Sequence, residues 1–214
     1  MPDIDEAPVG GIAAIRKLLW VMAAVAALLG GLLYFGLEGS GADNQAPVAA
    51  KLPFGGPFEL IAADGSVLTE KNLAGKPYAI FFGFTRCPDV CPTTLSRMAL
   101  WRKQLGKDGE KFNIVFVSVD PARDKPSDIG SYVELFDTPI IAATGTDAQL
   151  AQIRKGFGVY VKKVPLDPVN LGGDYTIDHT AGIFLMDAQG HLSSIIDHHE
   201  SERTALEKLR MLVG

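Results

Sequence analysis

The only two cysteines of this 214-residue sequence stand four positions apart, in Phe84-Thr85-Arg86-Cys87-Pro88-Asp89-Val90-Cys91-Pro92-Thr93-Thr94-Leu95. A thiolate is both a nucleophile and a soft metal ligand, so the pair offers thiol–disulfide chemistry or metal binding. On a helical turn, side chains at i and i+4 have Cβ atoms about 5–6 Å apart, whereas a disulfide prefers about 3.5–4.5 Å. Two sulfurs each about 2.3 Å from one ion can lie about 4 Å apart, so this spacing accommodates a metal more readily than C-x-x-C does. It does not forbid a disulfide if the loop is not helical. A purely structural bridge is disfavoured, because closing so short a loop constrains little chain. Two thiolates leave a copper or zinc shell incomplete, so a metal reading requires an imidazole from elsewhere in the chain.

The elements around the pair must bring that imidazole to it. Residues 58–61 and 67–68 flank Asp64-Gly65 and read as a hairpin. Residues 72–77 follow as a short turn. Residues 78–84 and 113–119 are nearly continuous apolar runs, expected of strands buried on both faces. Between them, residues 93–105 carry apolar side chains at helical spacing. The cysteines therefore fall where a buried strand gives way to a helix, a place where backbone N–H groups and the helix dipole favour a thiolate. Arg86 adds a second source of positive field if its side chain turns inward. Residues 127–136 and 147–157 read as further helices, 159–164 as a short extended segment, 183–186 and 193–196 as a hairpin, and 201–212 as a closing amphipathic helix with Leu206, Leu209 and Leu212 inward. The order is α/β and that of a thioredoxin-like fold with an extra N-terminal hairpin.

Four histidines compete for the third ligand position. His179, in Tyr175-Thr176-Ile177-Asp178-His179-Thr180-Ala181-Gly182, precedes the strand at 183–186. In a thioredoxin-like fold the loop before that strand faces the cysteine loop, so His179 is the histidine expected to close a Cys87–Cys91–His179 site. Asp178 is read either as a residue that orients His179 or supplies an extra oxygen ligand, or as a surface carboxylate. His191 follows a glycine turn and is expected to face solvent. His198 and His199 are neighbours whose side chains point to opposite sides of an extended chain, so they read as a polar segment before the last helix.

The residues in this order resemble the Sco/SenC copper-binding proteins that assist assembly of cytochrome c oxidase. The resemblance runs from about Pro57 to the C-terminus. It rests on F-G-F-T-R-C-P-D-V-C-P-T-T-L from Phe82, V-S-V-D-P-A-R-D at 117–124, T-G-T at 144–146 and D-H-T-A-G-I-F-L-M-D at 178–187. Lys125 and Ala181 depart from the residues more usual in the family and touch no proposed ligand. The resemblance implies copper, Cu(I) with Cu(II) as a second state, held by Cys87, Cys91 and His179. It implies delivery to the binuclear copper centre of cytochrome c oxidase subunit II, with a copper donor protein and a thiol reductant as further partners. Asp120, Arg123 and Asp124 read either as holding a loop near the site or as structural salt bridges. The alternative function is a thiol–disulfide oxidoreductase that keeps the oxidase's copper-ligand cysteines reduced. A peroxidase is disfavoured, since Thr85 stands two residues before Cys87 and no further cysteine could resolve it. A sensor signalling through the anchor is disfavoured by the absence of an output module in residues 1–17.

Composition sets the remaining limits. A 47% hydrophobic content excludes a disordered chain, and a net charge of −5 gives no global counterion-release contribution, which argues against nucleic acid as a partner. Residues 18–37 carry no charge and span about 30 Å as a helix, the thickness of a bilayer's hydrocarbon core. Arg16 and Lys17 precede the run and the next basic residue is Lys51, so the N-terminus is expected in the cytoplasm and the remainder in the periplasm, anchored in the inner membrane. A cleaved signal peptide is the rival, and its apolar region is typically only about 7–15 residues long. The expected organisation is a tail at 1–17, an anchor at 18–37, a linker at 38–52 and a copper-binding domain at 53–214.

Overall fold

A computed structural model describes residues 10–38, 54–167, 169 and 173–214. The chain divides into two compact units, Met1–Ala50 and Lys51–Gly214. In the first, α1 runs over Gly10–Glu38, and its side chains are described for residues 16–32. Apolar side chains there are exposed, Trp20 by 75%. The expected span at 18–37 is helical, and from residue 33 its side chains lie outside the described residues. Among the described residues no helix is long and apolar enough to cross a membrane. Residues 1–9 of the expected tail and 39–52 of the expected linker also lie outside them.

In the second unit, β3 (Tyr78–Gly83), β4 (Asn113–Ser118) and β5 (Ile140–Thr144) run parallel, with Phe82 opposite Val117 and Val117 opposite Ala143. Two antiparallel strands, β8 (Ile183–Met186) and β9 (Leu192–Ile196), extend the sheet beyond β3. The expected N-terminal hairpin, β1 (Glu59–Ala62) and β2 (Val67–Thr69), joins the opposite edge through antiparallel pairing of β1 with β5. Its turn is set by Asp64, whose Oδ1 accepts from the Ser66 backbone N–H at 2.9 Å and hydroxyl at 2.6 Å, with Gly65 at φ +83°. The resulting order is β2-β1-β5-β4-β3-β8-β9. Every residue of β3 is buried, so both faces of the strand are covered, as the unbroken apolar run requires.

Three elements differ from the expected pattern. Residues 70–73 form a single helical turn, α2 (Glu70–Leu73), whose start is fixed by Asn72 accepting from the Thr69 N–H. Strand β5 was not anticipated, because Pro139 precedes it and Ala142-Ala143 has little intrinsic strand preference; pairing to β1 and β4 on its two sides decides its state. His179 lies not in a loop but at the end of β7 (Tyr175–His179), which pairs with β6 (Val161–Pro165) in a separate two-stranded ribbon. Val161 stands opposite His179 in its register.

Four helices bury apolar faces against the sheet. Leu95, Met98 and Trp101 come from α3 (Val90–Gln104), Ile129 and Val133 from α4 (Pro126–Val133), Leu150, Ile153 and Phe157 from α5 (Asp147–Phe157), and Ala205, Leu209 and Leu212 from α6 (Glu202–Val213). Thr146 starts α5 by accepting the Gln149 N–H at 3.3 Å, and Gly158 ends it at φ +63°. The last helix offers a direct test of this packing. Leu209→Ala should destabilise the fold by about 2–5 kcal/mol in urea unfolding. Met211→Ala, at a 72%-exposed position two residues on, should change stability by less than about 0.5 kcal/mol.

Candidate metal centre

Strand β3 ends at Gly83, and within a few residues the chain turns into α3. The helix begins at Val90, earlier than its apolar spacing indicates, so Cys91 lies in its first turn while Cys87 precedes it. Four N–H groups at a helix start have no partner within the helix, and Asp89 at the N-cap makes no side-chain bond to them. The Cys87 sulfur takes that place, accepting the Cys91 N–H at 3.3 Å. Cys91 is fully buried and Cys87 partly exposed. A Cβ on Gly83 would stand 2.8 Å from the Cys91 sulfur and 3.0 Å from the Phe116 ring, so the strand's last residue must lack a side chain for Cys91 to fit.

The two thiols are strongly inequivalent. Cys87 is lowered to about 4, chiefly by a hydrogen bond from the Cys91 thiol, with the backbone N–H groups of Cys91 and Asp89 assisting against a desolvation penalty. Cys91 is pushed far up, because it donates to Cys87 and is buried. The reduced pair therefore holds one thiolate, concentrated on the outer sulfur. Arg86 is exposed and is not among the causes of the shift, so hydrogen bonding rather than its charge produces the thiolate.

The ribbon brings His179 to this pair. Its Nδ1 lies 3.0 Å from the Thr180 carbonyl oxygen, which can only accept, so Nδ1 carries the proton. Nε2 is left with its lone pair free, 3.5 Å from the Cys91 sulfur. Phe81 and Phe84 meet the imidazole edge-on, with ring centroids 6.0 and 5.9 Å away, and fix its plane. The donor atoms of Cys87, Cys91 and His179 all lie within 4.8 Å of one another. For ligand bonds of about 2.0–2.3 Å, three donors spread evenly about one ion stand about 3.5–4.0 Å apart, so a contraction of up to about 1 Å closes the group on an ion. Two soft sulfurs and an oriented imidazole suit Cu(I).

The other sequence candidates fall outside this group. Asp178 is exposed and pairs across the ribbon with Lys162; strand alternation directs it to the face opposite His179. His191 is exposed beside Asp187, at 3.3 Å. The His198 Nδ1 lies 3.4 Å from the Thr94 hydroxyl, and Arg97 donates to the backbone oxygens of His198 and Glu200, both at 2.7 Å, which binds this segment to α3. Among the D-P-A-R-D residues, Asp124 is buried and accepts from the Thr85 N–H at 2.9 Å, the Thr85 hydroxyl at 2.6 Å and the Ser118 hydroxyl at 2.5 Å. Thr85, two residues before Cys87, is thereby held to the end of β4. Sequence reading missed Gly83 and Thr85 as site determinants. A glycine at the end of an otherwise bulky strand was the available signal for the first.

Two outcomes follow from this geometry. In the reduced, metal-free protein, thiolate absorbance near 240 nm should persist at neutral pH and disappear as pH falls through about 4, in the wild type but not in Cys87→Ser. Because the folded value lies below the unfolded one, the stability this thiolate contributes is present above the ordinary thiol range and lost as pH falls toward 4. Gly83→Ala should displace the Cys91 sulfur and weaken metal binding in a chelator competition.

The SCO1/SenC family model matches residues 46–214. The chain is 39% identical over 157 residues to Protein SCO2, mitochondrial, of Saccharomyces cerevisiae, covering 73% of this chain and 52% of that protein. It thus spans about half the length of that curated relative. Among solved structures, Bradyrhizobium japonicum ScoI with copper bound matches at 42% identity with a TM-score of 0.67, covering 74% of this chain and 99% of the other. Yeast Sco1 with copper bound matches at 36% identity and the same TM-score of 0.67, covering 74% and 87%. With its thioredoxin-like α/β domain and its cysteine pair facing an oriented histidine, the chain belongs to the SCO1/SenC family.

Proposed function

We propose that this protein is a membrane-anchored copper carrier that serves assembly of cytochrome c oxidase. The observation that supports it most directly is the convergence of Cys87, Cys91 and His179 on one small volume, with the imidazole already in the tautomer that leaves Nε2 free. Copper is the cargo. Loading removes the Cys91 proton, so uptake converts a single shared thiolate into two thiolate ligands and releases a proton. Three donors leave Cu(I) open to a fourth, and a recipient's ligand enters there before any bond to the carrier breaks. Cu(II) would draw an additional oxygen from water, or from Asp178 if that side chain turned inward. The recipient on this reading is the binuclear copper centre of subunit II, with a copper donor protein upstream. The charge-free run at 18–37, preceded by Arg16 and Lys17, supports an inner-membrane anchor with the domain in the periplasm.

A second reading has its own observation. A thiolate at Cys87 beside a protonated Cys91 is the arrangement of a thiol–disulfide oxidoreductase. Cys87 would attack a partner disulfide, Cys91 would displace the mixed disulfide, and the partner would leave with two thiols while Cys87–Cys91 becomes oxidised. That oxidised form cannot hold copper, so a reductant must restore the carrier.

Cu(I) binding to the reduced full chain in detergent, measured against a chromogenic chelator, separates the readings. The expected result is one ion per chain, with most affinity lost in both His179→Ala and Cys87→Ser/Cys91→Ser. Wild-type affinity in His179→Ala would overturn the three-ligand carrier and leave the oxidoreductase.

A further inference from the structure

The metal donors sit on two separately hydrogen-bonded sheets. Cys87 and Cys91 follow β3 of the seven-stranded sheet, while His179 ends the β6–β7 ribbon. No main-chain pairing joins the two sheets among the described residues, and only Thr180, Ala181 and Gly182 link His179 to β8, so side chains that bridge the sheets share in fixing the imidazole relative to the sulfurs. The D-P-A-R-D turn that follows β4 lies between the two.

Arg123 crosses that gap. Its Nε donates to the carboxylate of Asp120, which is fully buried at the end of β4. Its Nη1 donates to the Tyr175 backbone oxygen, at 2.8 Å, and reaches exposed Asp174 at 3.4 Å. The guanidinium carbon lies over the Tyr175 ring, 3.7 Å from its centroid, and 6.0 Å from that of Phe84. Tyr175 closes the loop: its hydroxyl donates to the other oxygen of Asp120 at 2.7 Å. Asp120, Arg123 and Tyr175 thus form a closed ring of contacts joining the first residue of β7 to the cysteine-bearing sheet. Phe84 touches both Arg123 and His179.

The guanidinium is largely buried, and its Nη2 has no hydrogen-bond partner among the described residues. Burying a charged group with one donor unsatisfied is costly, and an apolar residue would pack the same gap without that penalty. What an apolar residue would lack is the planar fork that binds a carboxylate and a carbonyl together while stacking on an aromatic ring.

We propose that Arg123, with Asp120 and Tyr175, is a positioning residue that holds His179 in register with the cysteine pair, and so sets how tightly copper is held. The proposal rests on the Cys87–Cys91–His179 reading. Arg123 touches no donor atom and acts through the placement of β7. Lysine at this position keeps the charge beside Asp120 but loses the fork and the stacking, so the ribbon is held at one point rather than three.

The test is a double-mutant cycle on Cu(I) affinity, using the full chain in detergent as wild type, Arg123→Lys, His179→Ala and the combined variant. Thermal unfolding of each apo form is followed in parallel, and Tyr175→Phe serves as a second, milder break in the ring. Arg123→Lys is expected to weaken binding about 10–100-fold in the wild-type background, in the range of other residues that orient a metal ligand. In the His179→Ala background it should have little further effect, because the residue it positions is gone. An equal loss in both backgrounds would overturn the proposal in favour of general packing, and undiminished affinity in both Arg123→Lys and Tyr175→Phe would overturn it outright. Wild-type affinity in His179→Ala alone would instead remove the three-ligand reading on which it stands.

Discussion

A single buried carboxylate decides where the chemistry of this protein can occur. Asp124 accepts three hydrogen bonds, two from Thr85 and one from Ser118, so the chain leaving β3 is fastened to the end of β4 just before the first cysteine. A carboxyl group in a core is tolerated only when its oxygens are hydrogen-bonded, and Thr85 and Ser118 bond them. Remove that fastening and the start of α3 loses its fixed approach, and with it the placement of Cys87 against the helix's first N–H groups. The cysteine loop is thus an extension of the sheet rather than a free surface loop.

The electrostatics follow from the same placement. Two thiols so close would resist becoming two thiolates, and the structure resolves the conflict by concentrating charge on the partly exposed sulfur and keeping the buried one protonated. A metal cation reverses this balance by supplying the positive charge that the protein withholds.

The chain made parts of this arrangement legible and hid others. The apolar run at 78–84, the Asp64-Gly65 turn and the helical spacing after Cys91 each have one physical interpretation, and the strands and helix appear there. The candidacy of His179 over three other histidines was readable from its place before β8. The strand that carries it was not, because its partner lies across residues 166–174 and local pattern says nothing about a pairing made over such a gap. Strand β5 was obscured for a related reason: alanines take strand geometry only when neighbours on both sides supply the pairing. Asp120, Arg123 and Asp124 read from sequence either as holding a loop near the site or as structural salt bridges, and they make both kinds of contact: Asp124 binds Thr85 beside the cysteine loop, and Asp120 pairs with Arg123 and Tyr175.

The division of the donors between two sheets carries a mechanical consequence. A seven-stranded sheet clad on both faces is stiff, whereas a two-stranded ribbon alone is marginal in water and bends at little expense. The three-donor site therefore joins a broad sheet bearing sulfur to a narrow ribbon bearing nitrogen, and the ribbon leans on Asp120 and Arg123 for its stiffness.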